Sequence, residues 1–368
     1  LTPIHIRGDK MNNIFICCGN LKAGGAERVI SVLANDFVSR DISVCIYTWY
    51  KTDIFYQFDD RVIIHQIPLE SKCSSYLGQM LWFRKEILHK HPDVVLSFLA
   101  PFNILTVFSL LGTRIPVAVA ERNDPYFVSP TYNAFWKIVR NLAYKFSDRV
   151  FVQTQINKSH FPRYIQSKST VIYNPMALDR DKIGLALSAN KRKEIVSVTR
   201  LEAQKNVPML IKAFAKFHKT HLDYRLTIYG KGGERGDLEK LISSMGLTEV
   251  VSLPGCRQDV HNVIVGASMF AMASNFEGMS NSLIEAMCLG LPCVSTKVSG
   301  ALDLIQNGYN GLLVDINDID GMCSALTYMA DNIDFSKRMG ERASELYKML
   351  SVDVISNQWL KEISAIIK

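Results

Sequence analysis

Short apolar runs of strand length alternate with helix-length amphipathic segments along this 368-residue chain, and the alternation starts, fades and starts again. "NIFICC" (13–18), "ISVCIYTW", "DVVLSFL", "IPVAVAE" and "DRVFVQT" read as strands, near-continuous in apolar residues as strands covered on both faces are. "AERVISVLANDFVSR", "SYLGQMLWFRKEILHKH" and "YNAFWKIVRNLAYKFS" between them carry helical spacing. Such a rhythm calls for a parallel sheet with helices on both faces. It loosens across "YNPMALDRDKIGLALSANKRK" (173–193), where Asn174-Pro175 disfavours helix and the stretch ends polar and basic. It restarts with "EIVSVTR", "NVPMLIKAFAKFHKTH", "RLTIYG", "GDLEKLISSMG", "VVSLPG", "MFAMAS", "CVSTKV" and "GLLVD", and closes in helices from about Asp318. The expected fold class is α/β, two doubly wound Rossmann-like domains whose strand carboxyl ends face a central cleft. Length agrees, because single cores stop growing near ~250–300 residues. The expected boundaries are residues 11–173 for an N-terminal domain, 174–193 for a linker, 194–352 for a C-terminal domain, and 353–368 for a helix packing back on the first domain.

Composition narrows the class of molecule. Hydrophobic residues at 48% and charged residues at 21% are globular values. The longest apolar stretch, Pro101 to Glu121, is broken by Gly112-Thr113-Arg114 and reads as a buried helix followed by a buried strand. Eight cysteines fall inside strands and helices without metal-ligand spacing, a reduced pattern that goes with a cytoplasmic location. No secretory signal pattern is recognised, and residues 1–10, ahead of Met11, are set apart from the fold argument. Charge is uneven: residues 1–170 hold 20 Lys and Arg against 13 Asp and Glu, and the remainder 22 against 22. Residues 132–170 concentrate Lys137, Arg140, Lys145, Arg149, Lys158, Arg163 and Lys168 against one acid, Asp148. A solvated helix face is the plain reading of that block; an anionic membrane surface is the functional one.

In open α/β sheets ligands bind beyond the carboxyl ends of the strands, so the chemistry is sought there. "FEGMSNSLIEAMCLGLP" places Glu277 in the loop after one strand and Glu285 in the following helix. Two carboxylates at one corner are costly to bury unless paired or hydrogen-bonded, and they suit a ligand rich in hydroxyl groups. Ser280 or Asn281 can cap the helix, and the amides of Gly278, Met279, Ser280 and Asn281 offer donors to an anion. "VTRLEAQKN" brings Arg200 to another strand end and Lys205 five residues on, two cations able to neutralise a diphosphate. At a third end, "IYGKGGERGDLEKL", Gly230, Gly232 and Gly233 let backbone approach a ring or phosphate. The turn "GNLKAGGAE" sets Gly24 and Gly25 before a helix, where a phosphate or an acceptor could rest. Phosphate-binding amides and cations beside hydroxyl-binding acids describe a site for a nucleotide sugar.

Together "GGAER", "RLEAQKN", "GKGGERGDLEKL" and "EGMSNSLIEAMCLGLPCVSTKVSGALDLIQNGYNGLLV" resemble the GT-B glycosyltransferases, and within them the large retaining family 4, over nearly all of Met11 to Lys368. The resemblance implies that Glu285 holds the ribose hydroxyls, that Glu277 sits by the donor sugar and that Arg200 and Lys205 bind the diphosphate. It places the base against "YGKGG" and "LPGCRQDV", the segment of Arg257, and implies transfer with retention, without a covalent carboxylate intermediate. Family members often show Glu-His where this chain has Glu121-Arg122; Arg122 is therefore expected to meet an anionic group on donor or acceptor. Ser299-Gly300 replaces a frequent Gly-Gly, with little expected consequence.

The expected activity is transfer of a hexose or N-acetylhexosamine from a nucleotide sugar, UDP-linked ahead of GDP-linked, to a saccharide acceptor on a polyprenyl pyrophosphate. The setting is surface-polysaccharide or glycan assembly at the inner face of the membrane. No cofactor or metal is expected, since Arg200 and Lys205 can meet the charge of the leaving diphosphate. "DRD" (179–181) and "DID" (318–320) do not follow strands as a metal-binding triplet would, and His89, His91, His218 and His221 lie on polar helical stretches. A dehydrogenase is disfavoured because "CCGNLKAGGAE" lacks G-x-G-x-x-G spacing. A nucleotide-sugar epimerase or sugar phosphorylase on the same fold, and a non-catalytic sugar-binding module, are the rival readings. No nucleic-acid partner is expected, although Trp136, Tyr144 and Phe146 accompany the basic block.

Overall fold

The computed structural model describes residues 11–51, 53–68, 75–124, 134–177, 191–257 and 260–367. The chain divides into two compact units, residues 1–175 with 352–368, and residues 176–351. Residues 178–190 of the expected linker, with the "DRD" triplet, lie outside the described residues.

The first unit runs β1 (Asn13–Cys18), α1 (Gly25–Ser39), β2 (Ser43–Thr48), β3 (Ile63–Gln66), α2 (Tyr76–Lys90), β4 (Val94–Phe98), α3 (Ala100–Ser109), β5 (Val117–Ala120), α4 (Ala134–Phe146), β6 (Arg149–Val152), α5 (Gln155–Ser159), α6 (Arg163–Gln166) and β7 (Ser169–Val171). Its seven strands are ordered β3-β2-β1-β4-β5-β6-β7 and all pair in parallel. β1 and β4 are almost wholly buried, as central strands covered on both faces must be. Phe15, Tyr47, Phe83, Val95, Val119 and Val150 pack in one cluster, each large side chain contributing roughly 1.5–3 kcal/mol by leaving water.

The second unit runs β8 (Arg192–Val198), a 3-10 turn (Ala203–Lys205), α7 (Val207–Phe217), β9 (Arg225–Tyr229), α8 (Arg235–Ser244), β10 (Val251–Gly255), α9 (Val260–Ile264), β11 (Ala267–Met272), α10 (Asn281–Cys288), β12 (Cys293–Thr296), α11 (Ser299–Leu304), β13 (Leu312–Val314), α12 (Ile319–Asp331), α13 (Ile333–Ser344) and α14 (Tyr347–Leu350). Its order, β10-β9-β8-β11-β12-β13, repeats the reversal of the first sheet. Each sheet thus has a point where strand order changes direction, β1/β4 in one and β8/β11 in the other, and a crevice opens there beyond the strand ends.

The last helix, α15 (Val352–Ser364), belongs to the first unit. Its Trp359 is fully buried, with ring centroids 4.3 Å from Phe151 and 5.8 Å from Phe98. Arg40 of α1 holds it by Asp353 at 2.8 Å and Asn357 at 2.6 Å. Among the described residues no helix is long and apolar enough to cross a membrane.

Candidate functional site

The loops after β8 and β11 meet because those strands are neighbours at the switch point of the second sheet. Asn275 N–H donates to the Gln204 carbonyl at 2.8 Å and its side chain to the Ala203 carbonyl at 2.9 Å. Gln204 answers, its Nε2 donating to the Phe276 carbonyl at 3.0 Å. This stitching brings Lys205 into direct contact with Glu277, residues 72 apart in sequence. Both side chains are largely withdrawn from water, at 13% and 9% exposure. Ser274 Oγ adds a hydrogen bond to Glu277 Oε1 at 3.1 Å. The pairing departs from the sequence reading, which gave Lys205 to phosphate and Glu277 to sugar as separate contacts. A buried carboxylate needs a partner, and Lys205 is the cation within reach.

Arg200 lies two residues past β8 and is exposed, reaching Glu202 at 2.9 Å and Gln204 at 3.2 Å. Glu285 occupies the second turn of α10 and is buried. Its Oε2 pairs with His261 Nε2 of α9 at 2.8 Å. Ser280 is the helix cap, its hydroxyl accepting from Leu283 N–H at 3.4 Å. Gly278, Met279 and Ser280 are buried and Asn281 is half-buried. Gly300 is tightly bound to this loop. A Cβ there would lie 2.5 Å from the Gly278 carbonyl oxygen and 2.8 Å from Met279 Cα. The small residue is thus part of the site's backing.

Gly230 and Gly232 serve the chain's own backbone. A Cβ on Gly230 would stand 1.7 Å from the Thr199 carbonyl oxygen, and one on Gly232 2.2 Å from that of Leu201. At φ +154°, Gly230 also holds a conformation that other residues rarely adopt. The loop after β9 therefore presses on the segment that carries Arg200. Arg257, exposed after β10, stands at the edge of the described residues.

In the first unit, Gly24 caps α1, and Glu27 of the first turn sits so close that a Cβ on Gly24 would meet its Oε2 at 2.1 Å. That helix terminus already carries its own carboxylate, which competes with any phosphate at Gly24 and Gly25. Glu121 follows β5 and is buried; Tyr144 donates to its Oε2 at 2.9 Å and receives from Asn103 at 2.8 Å. Burial raises the Glu121 carboxyl above its ordinary range, opposed by Arg140, Tyr144 and the amides of Asn123 and Arg122. These contacts commit Glu121 to the fold. Arg122 is buried too, its Nη2 bonded to Asn174 Oδ1, which also accepts from Gln153 at 2.9 Å. Arg122 Nε and Nη1 have no hydrogen-bond partner among the described residues, and burial pushes the guanidinium down to about 9 against only the nearby charge of Glu121.

The sequence reading missed His261, Ser274, Gln204, Gln153 and Asn174. Asn174 carried a signal, but it read as the start of a linker. The "DID" triplet resolves as a helix cap, Asp318 accepting from Gly321 N–H at 2.8 Å. His221 pairs with a carboxylate, Asp331 at 3.1 Å, and stacks on Phe217 with ring centroids 4.4 Å apart. Among the described residues no three His, Cys, Asp or Glu side chains gather as metal ligands would.

Two family models match in tandem. The one described as "Glycosyltransferase Family 4" covers residues 23–180 and the one described as "Glycosyl transferases group 1" covers residues 179–346. Among curated relatives, a Campylobacter jejuni enzyme is 26% identical over 97% of this chain and 99% of its own length. Its name is GalNAc-alpha-(1->4)-GalNAc-alpha-(1->3)-diNAcBac-PP-undecaprenol alpha-1,4-N-acetyl-D-galactosaminyltransferase. A second enzyme of that bacterium, N-acetylgalactosamine-N,N'-diacetylbacillosaminyl-diphospho-undecaprenol 4-alpha-N-acetylgalactosaminyltransferase, is 27% identical over 95% of this chain and 99% of its own. The crystal structure of Anabaena Alr3699/HepE in complex with UDP superposes with a TM-score of 0.78 at 19% identity, over 96% of this chain and all of that one. Tandem sheets of this order, the matched segments and these relatives agree: the chain belongs to the group 1, family 4 glycosyltransferases of GT-B fold.

Proposed function

We propose that this glycosyltransferase moves a hexose or N-acetylhexosamine from UDP to a saccharide carried on a polyprenyl pyrophosphate, with retention at the anomeric carbon. The observation that carries the donor reading is the Lys205–Glu277 contact at the β8/β11 switch point, beside the helix that bears Glu285. A cation and two carboxylates at one strand-end crevice suit a ligand with a diphosphate at one end and hydroxyl groups at the other. The relatives named for undecaprenol-linked acceptors and the neighbour crystallised with UDP support the choice of acceptor and nucleotide.

Lys205 and Arg200 stabilise the charge that grows on the β-phosphate as the sugar leaves. Glu277 orients Lys205 and accepts hydrogen bonds from sugar hydroxyls. Glu285, held by His261, accepts from the ribose. The acceptor hydroxyl attacks on the face from which the diphosphate departs, and the leaving phosphate is the natural recipient of its proton. Two cations at one strand end make a metal ion unnecessary for this step. The basic residues expected to hold the enzyme on an anionic membrane are in part internal. Lys158 donates to the Ser169 carbonyl at 2.7 Å, Lys168 to the carbonyls of Lys145 and Ser147, Arg149 pairs with Glu362 at 3.3 Å, and Arg140 is buried.

The test is UDP release from a panel of UDP-hexoses and UDP-N-acetylhexosamines, with and without a polyprenyl-pyrophosphate-linked saccharide. Release that requires the acceptor supports transfer. UDP-sugar conversion without acceptor points to an epimerase, dependence on inorganic phosphate to a phosphorylase, and binding without turnover to a non-catalytic module.

A further inference from the structure

The switch point of the first sheet, β1/β4, carries aromatic rings held in fixed positions. β4 turns straight into α3 at Leu99, whose φ of +73° and ψ of 135° form a strained backbone for a residue with a side chain. The Leu99 carbonyl accepts from Phe102 N–H at 3.1 Å and from Asn103 N–H at 2.9 Å, so the helix starts at once and Phe102 comes over the end of β1. Gly19 makes room there, since a Cβ on it would stand 2.3 Å from two atoms of the Phe102 ring. The Gly19 carbonyl also accepts from Tyr50 N–H at 2.9 Å, which sets the loop after β2 against the same strand end. Tyr50 meets Phe102 edge to face, with ring centroids 5.5 Å apart and planes at 81°. Its hydroxyl lies 3.4 Å from that of Tyr76, the first residue of α2.

Tyr50 is thus held by a ring at one end and by a hydroxyl at the other, yet it is 41% exposed and Tyr76 58%. An exposed ring fixed from two sides has already lost the freedom that binding would otherwise cost, as a rigid aromatic anchor must. Its place, beyond the strand ends at a switch point, is where open α/β sheets receive ligands. The chemistry of the two side chains says which ligand. A pyranose presents a face of C–H groups and an edge of hydroxyls, and Tyr50 and Tyr76 present aromatic surface with two hydroxyls beside it. Each phenol has one donor and two acceptor positions, so the single bond between them leaves capacity for a sugar's hydroxyls. A hydrocarbon chain would use the rings alone.

We propose that Tyr50, set by Phe102 and Tyr76, is the platform on which a pyranose ring of the acceptor stacks, the paired hydroxyls bonding to that ring's edge. The proposal deepens the reading above and rests on it, since it takes the acceptor to be a saccharide. Tyr50 then determines acceptor affinity, not donor binding or the chemical step.

Two measurements test it. The first is saturation-transfer NMR of the full chain with the methyl glycosides of glucose, galactose, N-acetylglucosamine and N-acetylgalactosamine. Saturation of the protein's aromatic protons should reach ring C–H groups on one face of at least one glycoside. Tyr50→Ala should abolish the signal, Tyr50→Trp should keep it, and Tyr50→Phe should keep it at severalfold lower affinity. Tyr50→Leu, which retains apolar bulk without a ring, guards against a folding effect and should lose the signal too. The second is transfer to a polyprenyl-pyrophosphate-linked saccharide, where Tyr50→Ala should raise the acceptor KM about tenfold or more, with donor KM and kcat within about twofold of wild type. Wild-type protein that saturates none of the four glycosides overturns the proposal, as does a Tyr50→Ala variant that matches wild type in either measurement. So does octyl glucoside saturated on its alkyl chain alone, which marks a hydrocarbon contact. Transfer that survives Tyr50→Ala unchanged removes the platform and leaves the proposed activity standing. Tyr50-dependent glycoside binding without any transfer removes that activity and keeps the platform.

Discussion

Separating Lys205 from Glu277 should reveal how the candidate site is held ready. Removing one member of a buried ion pair typically costs about 3–5 kcal/mol because the other charge stays behind. Here the two losses are unequal. The ammonium of Lys205 has Glu277 as its acceptor, so Glu277→Ala strands a cation and should cost about 3 kcal/mol. Glu277 keeps hydrogen bonds from Ser274 at 3.1 Å and Gln204 at 3.5 Å, so Lys205→Met should cost nearer 2 kcal/mol. The double variant leaves no stranded charge and should cost about 2–3 kcal/mol, well short of the sum, a coupling of about 2 kcal/mol. The second unit spans residues 176–351, a size at which about 1 kcal/mol moves the melting temperature by roughly 2–4 °C. Glu277→Ala should therefore melt about 6–12 °C below wild type. Scanning calorimetry reads this directly. UDP at about a hundred times its Kd adds about 2.7 kcal/mol to a protein that binds it. Lys205→Met should lose most of that gain, whereas Glu277→Ala should keep it and lose only the increment that a UDP-hexose adds over UDP. Additive single costs, or single variants melting within about 1 °C of wild type, would refute the reasoning.

Three further perturbations probe the same architecture. Gly230→Ala sets a Cβ 1.7 Å from the Thr199 carbonyl oxygen at a φ of +154°, and should cost about 3 kcal/mol or more by chemical denaturation. Arg122→Met removes a buried guanidinium and should stabilise the protein by about 1–3 kcal/mol at neutral pH while impairing turnover if an anionic substrate group meets Arg122. His261→Ala should raise the donor KM about tenfold or more with kcat little changed, and His261→Gln should recover much of it, because the imidazole acts by positioning Glu285.

What could be read from the chain was set by local pattern. Continuous apolar runs located the central strands, and "PFNILTVFSL" with "VAVA" resolved as the helix and strand their lengths demand. The edge strands escaped. β3 is four residues with no buried face and β7 is three residues ending beside Asn174-Pro175, so neither has an apolar run to announce it. Site residues were legible as types at strand ends, while their pairing was not. Lys205 meets Glu277 because crossovers make β8 and β11 neighbours, and His261 meets Glu285 because the helices before and after β11 pack together, facts of topology carried by no local window. The basic block was only partly legible for a similar reason. Long side chains reach carbonyls and acids on other elements, so a count of cations in sequence overstates the charge at the surface.

The distribution of buried charge ties the two units to one logic. Every buried acid among the described residues, Glu121, Asp124, Glu277 and Glu285, follows the carboxyl end of β5 or β11. Each has its own partner: Tyr144 for Glu121, His160 at 3.1 Å for Asp124, Lys205 for Glu277 and His261 for Glu285. Well-packed apolar residues in such places are often as stabilising as the ion pairs they replace, or more so. A fold kept by stability alone would have no reason to confine charge to the ends where α/β sheets bind ligands. The second unit's pairs sit beside the switch point, where the proposed donor would bring its phosphate and hydroxyl groups. In the first unit Glu121 is locked by its neighbours, and Arg122 keeps buried donors that an anion could satisfy. Under the proposed function the two strand ends serve different chemistry: a polyhydroxyl diphosphate at β8/β11, and a negative group near β5.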